Sequence, residues 1–161
     1  MIPTIKSFFR KIKRTLEFLP LIWEGYDFDY RYALDLFYYQ LKRTADLLDS
    51  DKAYSVNAKQ DARRLRTILE LMKKVYDEEY RMEHFEQMER FWGGSDWEWE
   101  DNNDGTSTYR GIKWKFAHTP EQQEKAERQF TGLAIAAEKK HQRAKKLLWE
   151  LVEHNLEHFW D

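Results

Sequence analysis

Apolar residues recur at intervals of three and four along most of the chain, and each such run predicts an amphipathic helix. Ile5, Phe8, Phe9, Ile12, Leu16 and Leu19 form a first stripe, with Lys6, Arg10, Lys13 and Glu17 on the other side, Thr4 as the cap and Pro20 as the end. A connection over residues 21–26 leads to a second helix, capped by Asp27 or Asp29 and running to about Asp49. Its core stripe is Tyr30, Leu34, Phe37, Leu41, Ala45 and Leu48. Asn57 and Gln60 form a capping box that opens a third segment. There Ala62, Leu65, Ile68, Leu69, Met72, Val75 and Tyr76 continue through Tyr80, Met82, Phe85 and Met88 with no Pro or Gly before Gly93. As one helix it would span about 50 Å.

The period changes after Phe91. Gly93-Gly94, the Asp101-Asn102-Asn103-Asp104-Gly105 cluster and Gly111 separate two short runs in which apolar and charged residues alternate, the signature of a β-hairpin. Trp97 and Trp99 share one face of the first arm with Glu98 and Glu100 on the other, and Trp114 and Phe116 share one face of the second with Lys113 and Lys115 on the other; opposite charges on the paired strands would favour the pairing. Thr119-Pro120-Glu121-Gln122 then combines a capping Thr, a Pro at the first helical position and a Gln that reaches back. The final helix carries Ala126, Phe130, Leu133, Ala137, His141, Ala144, Leu148, Leu151, Asn155 and His158 on one stripe, three of them polar. The expectation is an all-α fold, an antiparallel helical bundle of about four main helices with a short inserted loop or β-hairpin over about 93–118, in a single domain 1–161. The longest helices would project beyond the rest and favour a homodimer or higher homo-oligomer.

Charge and composition narrow the function classes. The net charge is −2, so no global field marks the chain as a nucleic-acid binder. Its aromatic content of 16% is far above that of a disordered segment. With no Cys, disulfides, zinc-thiolate sites and thiol catalysis drop out together. The longest apolar run, Phe18 to Trp23, is far short of the ~20 residues that span a bilayer, so a soluble protein is expected; no membrane or nucleic-acid partner and no cofactor are expected. Charge is distributed unevenly: residues 77–104 are strongly acidic and residues 138–149 basic.

Several motifs could carry chemistry. His154-Asn155-Leu156-Glu157-His158 is an H-x-x-E-H string like that of inverted zinc peptidases, but the chain supplies no downstream third ligand, and a terminal helix with exposed His is the simpler reading. Glu138 and His141 have the Glu-x-x-His spacing of two-metal carboxylate bundles, and Glu79 and Glu83 could add ligands; an acidic solvated face is the commoner explanation. The first helix holds Lys6, Arg10, Lys11, Lys13 and Arg14 with no acid before Glu17, which admits a surface-lying membrane helix or a targeting segment. A core-packing helix is preferred, because its apolar residues run on into Leu21, Ile22 and Trp23. The remaining signal is aromatic rings interleaved with cations and buried polar positions, a pattern that can stack a base and hold phosphates. Trp23, Arg31, Tyr38 and Lys42 in the first half, and His141, Arg143, Trp149 and Asn155 in the last helix, are the candidate ligand-binding residues. No catalytic or metal-ligating set is complete.

Residues 18–33, residues 36–42 and the terminal runs 143–155 and 159–161 resemble a family of small helical proteins of tailed bacteriophages, across nearly the whole chain except residues 93–118. That resemblance implies expression in the cytoplasm of an infected bacterial host and carries no assigned catalytic motif. By analogy with phage anti-defence proteins, the expected function is sequestration, without turnover, of a nucleotide-derived host immune signal such as a cyclic dinucleotide or an ADP-ribose derivative. In that reading Trp23, Tyr38 or Trp149 stacks the base, Arg31, Lys42 and Arg143 pair with phosphates, and His141 or Asn155 reads polar edges. Two alternatives differ in class: a helical protein-interaction or phage structural protein using the acidic residues 77–104, and a metal-dependent nucleotide hydrolase using Glu79, Glu83, Glu138 and His141.

Overall fold

The computed structural model describes residues 5–25, 29–53 and 55–159. These form five α-helices, α1 (Ile5–Glu24), α2 (Tyr30–Asp49), α3 (Ala58–Tyr76), α4 (Glu79–Trp92) and α5 (Pro120–Asn155), with strands β1 (Ser95–Asp101) and β2 (Ser107–Trp114) between the last two and a short 3-10 turn Glu157–Phe159. The fold is mostly α, as the periodicity predicts. Residues fall into two compact units, Met1–Leu69 and Glu70–Asp161, with the boundary inside α3.

In the first unit Asp29 caps α2, its carboxylate accepting the Arg31 backbone N–H at 2.8 Å. Thr4 and Asp27, the other predicted caps, lie outside the described residues. Pro20 does not end α1; the helix continues one further turn to Glu24. An interior proline lacks the N–H that would bond the carbonyl four residues back, so the Leu16 carbonyl loses its helical donor. The packed interior is small, with Leu41 and Ala45 of α2 and Ala58, Ala62, Leu65 and Ile68 of α3 nearly free of solvent. Arg66 of α3 reaches Asp46 at 3.3 Å and Asp49 at 3.1 Å on α2, where an exposed ion pair adds specificity more than stability. Contrary to the expected core-packing role, the apolar stripe of α1 is exposed along its length. Phe18, half-buried, makes the contact to α2 instead, edge to face with Tyr39 at 4.9 Å and beneath the Arg43 guanidinium.

In the second unit the long third segment is two helices. Glu78 takes a left-handed conformation (φ 57°, ψ 22°) between α3 and α4, a strained choice for a residue with a Cβ. No Gly or Pro is present to favour it; Arg81, one turn on, bonds the Glu78 carboxylate at 2.6 Å and also Glu138 on α5. α4 packs antiparallel on α5, Arg81 meeting Glu138 at one end and Trp92 donating to Gln129 at the other, 3.0 Å. The hairpin forms where the alternation predicts it, antiparallel, with Ser95 opposite Trp114 and Asp101 opposite Ser107. A bulge between Glu98 and Trp99 shifts the register, so Trp99 faces Tyr109. Phe116 lies beyond β2 rather than beside Trp114 on the strand. The core here joins Met88 of α4, Ile112 and Trp114 of β2, Ala117 and Ala126, with Trp92, Phe130 and Leu133 around it. The capping box of α5 is present as read: Thr119 accepts the Gln122 N–H, and Gln122 accepts the N–H of Thr119 at 3.2 Å.

Candidate functional site

Four acids and bases meet along the α4–α5 seam. The Arg81 guanidinium grips Glu138 with two bonds, Nε to Oε2 at 2.7 Å and Nη2 to Oε1 at 3.1 Å, a bidentate geometry that suits a planar cation. Gln142 donates to the same carboxylate at 2.7 Å. The Arg81 bonds, then that of Gln142, hold the Glu138 carboxyl down to about 2. One turn along, Lys140 bonds both oxygens of Glu83 at 2.7 Å and lies over the Tyr80 ring. These pairings engage two of the four side chains named for a metal-dependent hydrolase. Of Glu79, Glu83, Glu138 and His141, the second and third are neutralised by cations, and among the described residues no three His, Asp or Glu side chains gather as a ligand set. His154 and His158 are both exposed, on the last turns of the chain.

His141 sits one helical turn from Glu138 and is only 4% exposed, with its Nδ1 lacking a hydrogen-bond partner. Burial, aided by the charge of Arg81, pushes its imidazole below the ordinary value, so the ring is neutral at pH 7. Asn155 is also buried, and its amide is satisfied within the helix by the Leu151 carbonyl at 2.8 Å. Arg143, two residues from His141, lies on the other side of α5 and is exposed; Trp149 is exposed as well. Of the eight predicted ligand residues, then, these four belong to the second unit, with two turned inward and two outward.

The other four belong to the first unit. Trp23 is 85% exposed near the end of α1. Tyr38 is half-buried and Lys42 exposed on α2. Arg31 lines a cleft of about 210 Å³ with Leu21, Glu24, Gly25, Asp29, Tyr32 and Asp35, where it pairs with Asp35 at 3.5 Å. Gly25 is required there by close approach, because a Cβ would stand 2.3 Å from the Tyr32 ring. Three carboxylates against one already paired guanidinium make this cleft hostile to a phosphate.

The hairpin presents the most distinctive surface. A row of rings starts at Trp114 in the core, passes Phe130 at 5.8 Å and Phe85 at 5.5 Å, and continues to Trp97 at 6.4 Å. Tyr109 follows at 5.7 Å from Trp97, and Trp99 at 5.5 Å from Tyr109. The inner members are covered; Trp97, Tyr109 and Trp99 are not, Trp99 being 60% exposed. The hairpin is acidic, with Asp96, Glu98 and Glu100 alternating with the tryptophans and so on the other face of β1. β1, the turn and β2 hold Asp96, Glu98, Glu100, Asp101 and Asp104 against Arg110 and Lys113. Glu98 is paired with Lys113 at 3.7 Å, as the alternation of charge anticipates, whereas Glu100 is paired with Arg110 and Lys115 lies beyond β2. In the turn Asn103 takes a left-handed conformation, Asp101 accepts its N–H at 2.9 Å, and Asp104 accepts the Thr106 hydroxyl at 2.5 Å and the Thr106 N–H at 2.8 Å, which together, the hydroxyl first, hold the Asp104 carboxyl below its usual range. Tyr109 was not among the residues singled out from the sequence. Its place beside Trp99 depends on the bulge, which the alternation pattern does not signal.

Neither protein-family models, nor curated proteins, nor solved structures contain a match to this chain.

Proposed function

We propose that the chain is a non-enzymatic interaction protein that docks a basic protein surface through its β-hairpin. The observation that carries this reading is the exposed end of the aromatic row, Trp97, Tyr109 and Trp99, on a hairpin that is acidic overall and anchored to α4 and α5. Large, rigid aromatic side chains are the residue types that dominate interface energetics, and acids on the same hairpin add partner selection and a faster encounter. The sheet has two strands only, so each strand keeps an edge without a strand neighbour, and a partner segment could extend it by backbone pairing. The bacteriophage resemblance would put that partner in an infected bacterium, on a host protein or within the phage particle.

Capture of a nucleotide immune signal has less support. Its eight residues divide between the two units, Asn155 is satisfied within its own helix, and the cleft beside Arg31 is lined by acids.

The test is affinity capture by the full chain and by its Trp99→Ala and Tyr109→Ala variants, with small molecules released by heat analysed in parallel. A single basic partner, retained by the wild type and weakened tenfold or more by either variant, is the expected result. Retention indifferent to both variants, or a released nucleotide with no protein, would refute docking through the hairpin.

A further inference from the structure

The first helix offers a second surface of different chemistry, independent of the hairpin. Set out at about 100° per residue, Phe8, Phe9, Ile12, Leu16, Leu19 and Trp23 fall within an arc of about 100°. All six are exposed, Phe9 by 64% and Leu16 by 59%. The side of α1 that touches α2 is the opposite one: Glu17, Phe18 and Leu21 are partly buried there, with Glu17 paired to Arg43 at 3.1 Å and Phe18 edge to face with Tyr39. An amphipathic helix normally docks through its apolar stripe. Here the weaker side is docked and the stripe faces out, leaving apolar surface on the order of several hundred Å², as much as the largest patch on a typical monomer.

Charge selects the occupant. Arg10, Lys11, Lys13 and Arg14 are exposed, and no acid precedes Glu17 in the sequence. Lys11 borders the apolar arc on one side and Lys13 on the other, where long side chains can lie along the hydrocarbon boundary with their ammonium groups at lipid phosphates. Trp23 closes the arc at its C-terminal end, an amphipathic ring suited to the headgroup layer. No helix among the described residues is long and apolar enough to cross a membrane, so the geometry is that of a helix lying in the surface.

We infer that α1 binds an anionic lipid bilayer surface, its Phe8 to Trp23 stripe entering the headgroup boundary and the flanking Lys11 and Lys13 pairing with acidic lipids. Co-sedimentation of the full chain with phosphatidylcholine vesicles, alone or carrying about a third phosphatidylserine, tests it. Binding to the anionic vesicles, at least tenfold tighter than to the neutral ones and reduced by salt, is expected. Phe9→Asp and Leu16→Asp should each weaken it tenfold or more; both sites are exposed, and an unchanged circular dichroism spectrum will show that the helices persist. Lys11→Gln and Lys13→Gln should each weaken it about fivefold. Wild-type protein that stays in the supernatant with anionic vesicles overturns the inference, as does binding that ignores Phe9→Asp. A lipid-free dimer that Phe9→Asp converts to monomer, without vesicle binding, assigns the stripe to a second copy instead.

Discussion

Gln123 brackets the base of the hairpin to α5, and its removal gives a clean measure of what holds the interaction surface in place. Its Oε1 accepts the Trp114 backbone N–H at 3.3 Å, and its Nε2 donates to the carbonyls of Ala117 at 2.8 Å and Trp114 at 3.3 Å. The Trp114 carbonyl keeps another donor, the Ala117 N–H at 3.1 Å. Gln123→Ala therefore orphans two groups, the Trp114 N–H and the Ala117 carbonyl. At about 1 kcal/mol each for partly buried backbone groups, the expected loss is about 2 kcal/mol. Urea unfolding followed by near-ultraviolet circular dichroism should show it as a midpoint lowered by about 1 M. Gln123→Glu keeps the acceptor for Trp114 but turns a carboxylate toward the Ala117 carbonyl, and should lose at least as much at neutral pH. Lys125→Ala, at an exposed neighbour, is the control and should change stability by less than about 0.5 kcal/mol. A Gln123→Ala midpoint indistinguishable from that control would refute the bracket, and with it the claim that the hairpin is held at a fixed angle to α5.

Two further predictions concern pH. Glu138 is held by Arg81 down to about 2 against an ordinary 4.5, so its contribution is complete above pH 4.5 and lost as pH falls toward 2; Arg81→Met should flatten the fall in thermal midpoint across that interval. His141 is kept below 6.5 chiefly by burial. The unfolded chain then takes up its proton first, and the stability present above pH 6.5 declines as the solution is acidified. His141→Gln should remove that decline, read as a flatter dependence of the melting midpoint on pH below 6.5.

The parts of the fold legible in the sequence are those fixed by local chemistry. Thr119, Pro120 and Gln122 set the start of α5 through contacts within four residues, and the alternation around Trp97 and Trp99 has no helical reading that buries one face. The break at Glu78 is different in kind, because its left-handed backbone comes with a tertiary contact, the Arg81 that bonds its carboxylate also bonding Glu138 fifty-seven residues beyond Arg81. A sequence window without Gly or Pro carries no trace of that. Pro20 misled in the opposite direction, since a helix can pass through a proline when surrounding contacts such as Phe18 on Tyr39 keep it docked. The stripe of α1 was readable as apolar; which side of it would dock on α2 was not, because periodicity reports a face and not its neighbour. For the candidate site, the acidic character of residues 77–104 was plain, whereas the meeting of Trp99 with Tyr109 needed the bulge.

The row of rings from Trp114 to Trp99 also makes the hairpin its own spectroscopic reporter. Indole and phenol groups with centroids 5.5 and 5.7 Å apart couple their excited states, and chromophores so coupled rotate polarised light in proportion to how rigidly they are held. An aromatic circular dichroism band should therefore record the arrival of anything that orders or displaces the tip, with no label attached.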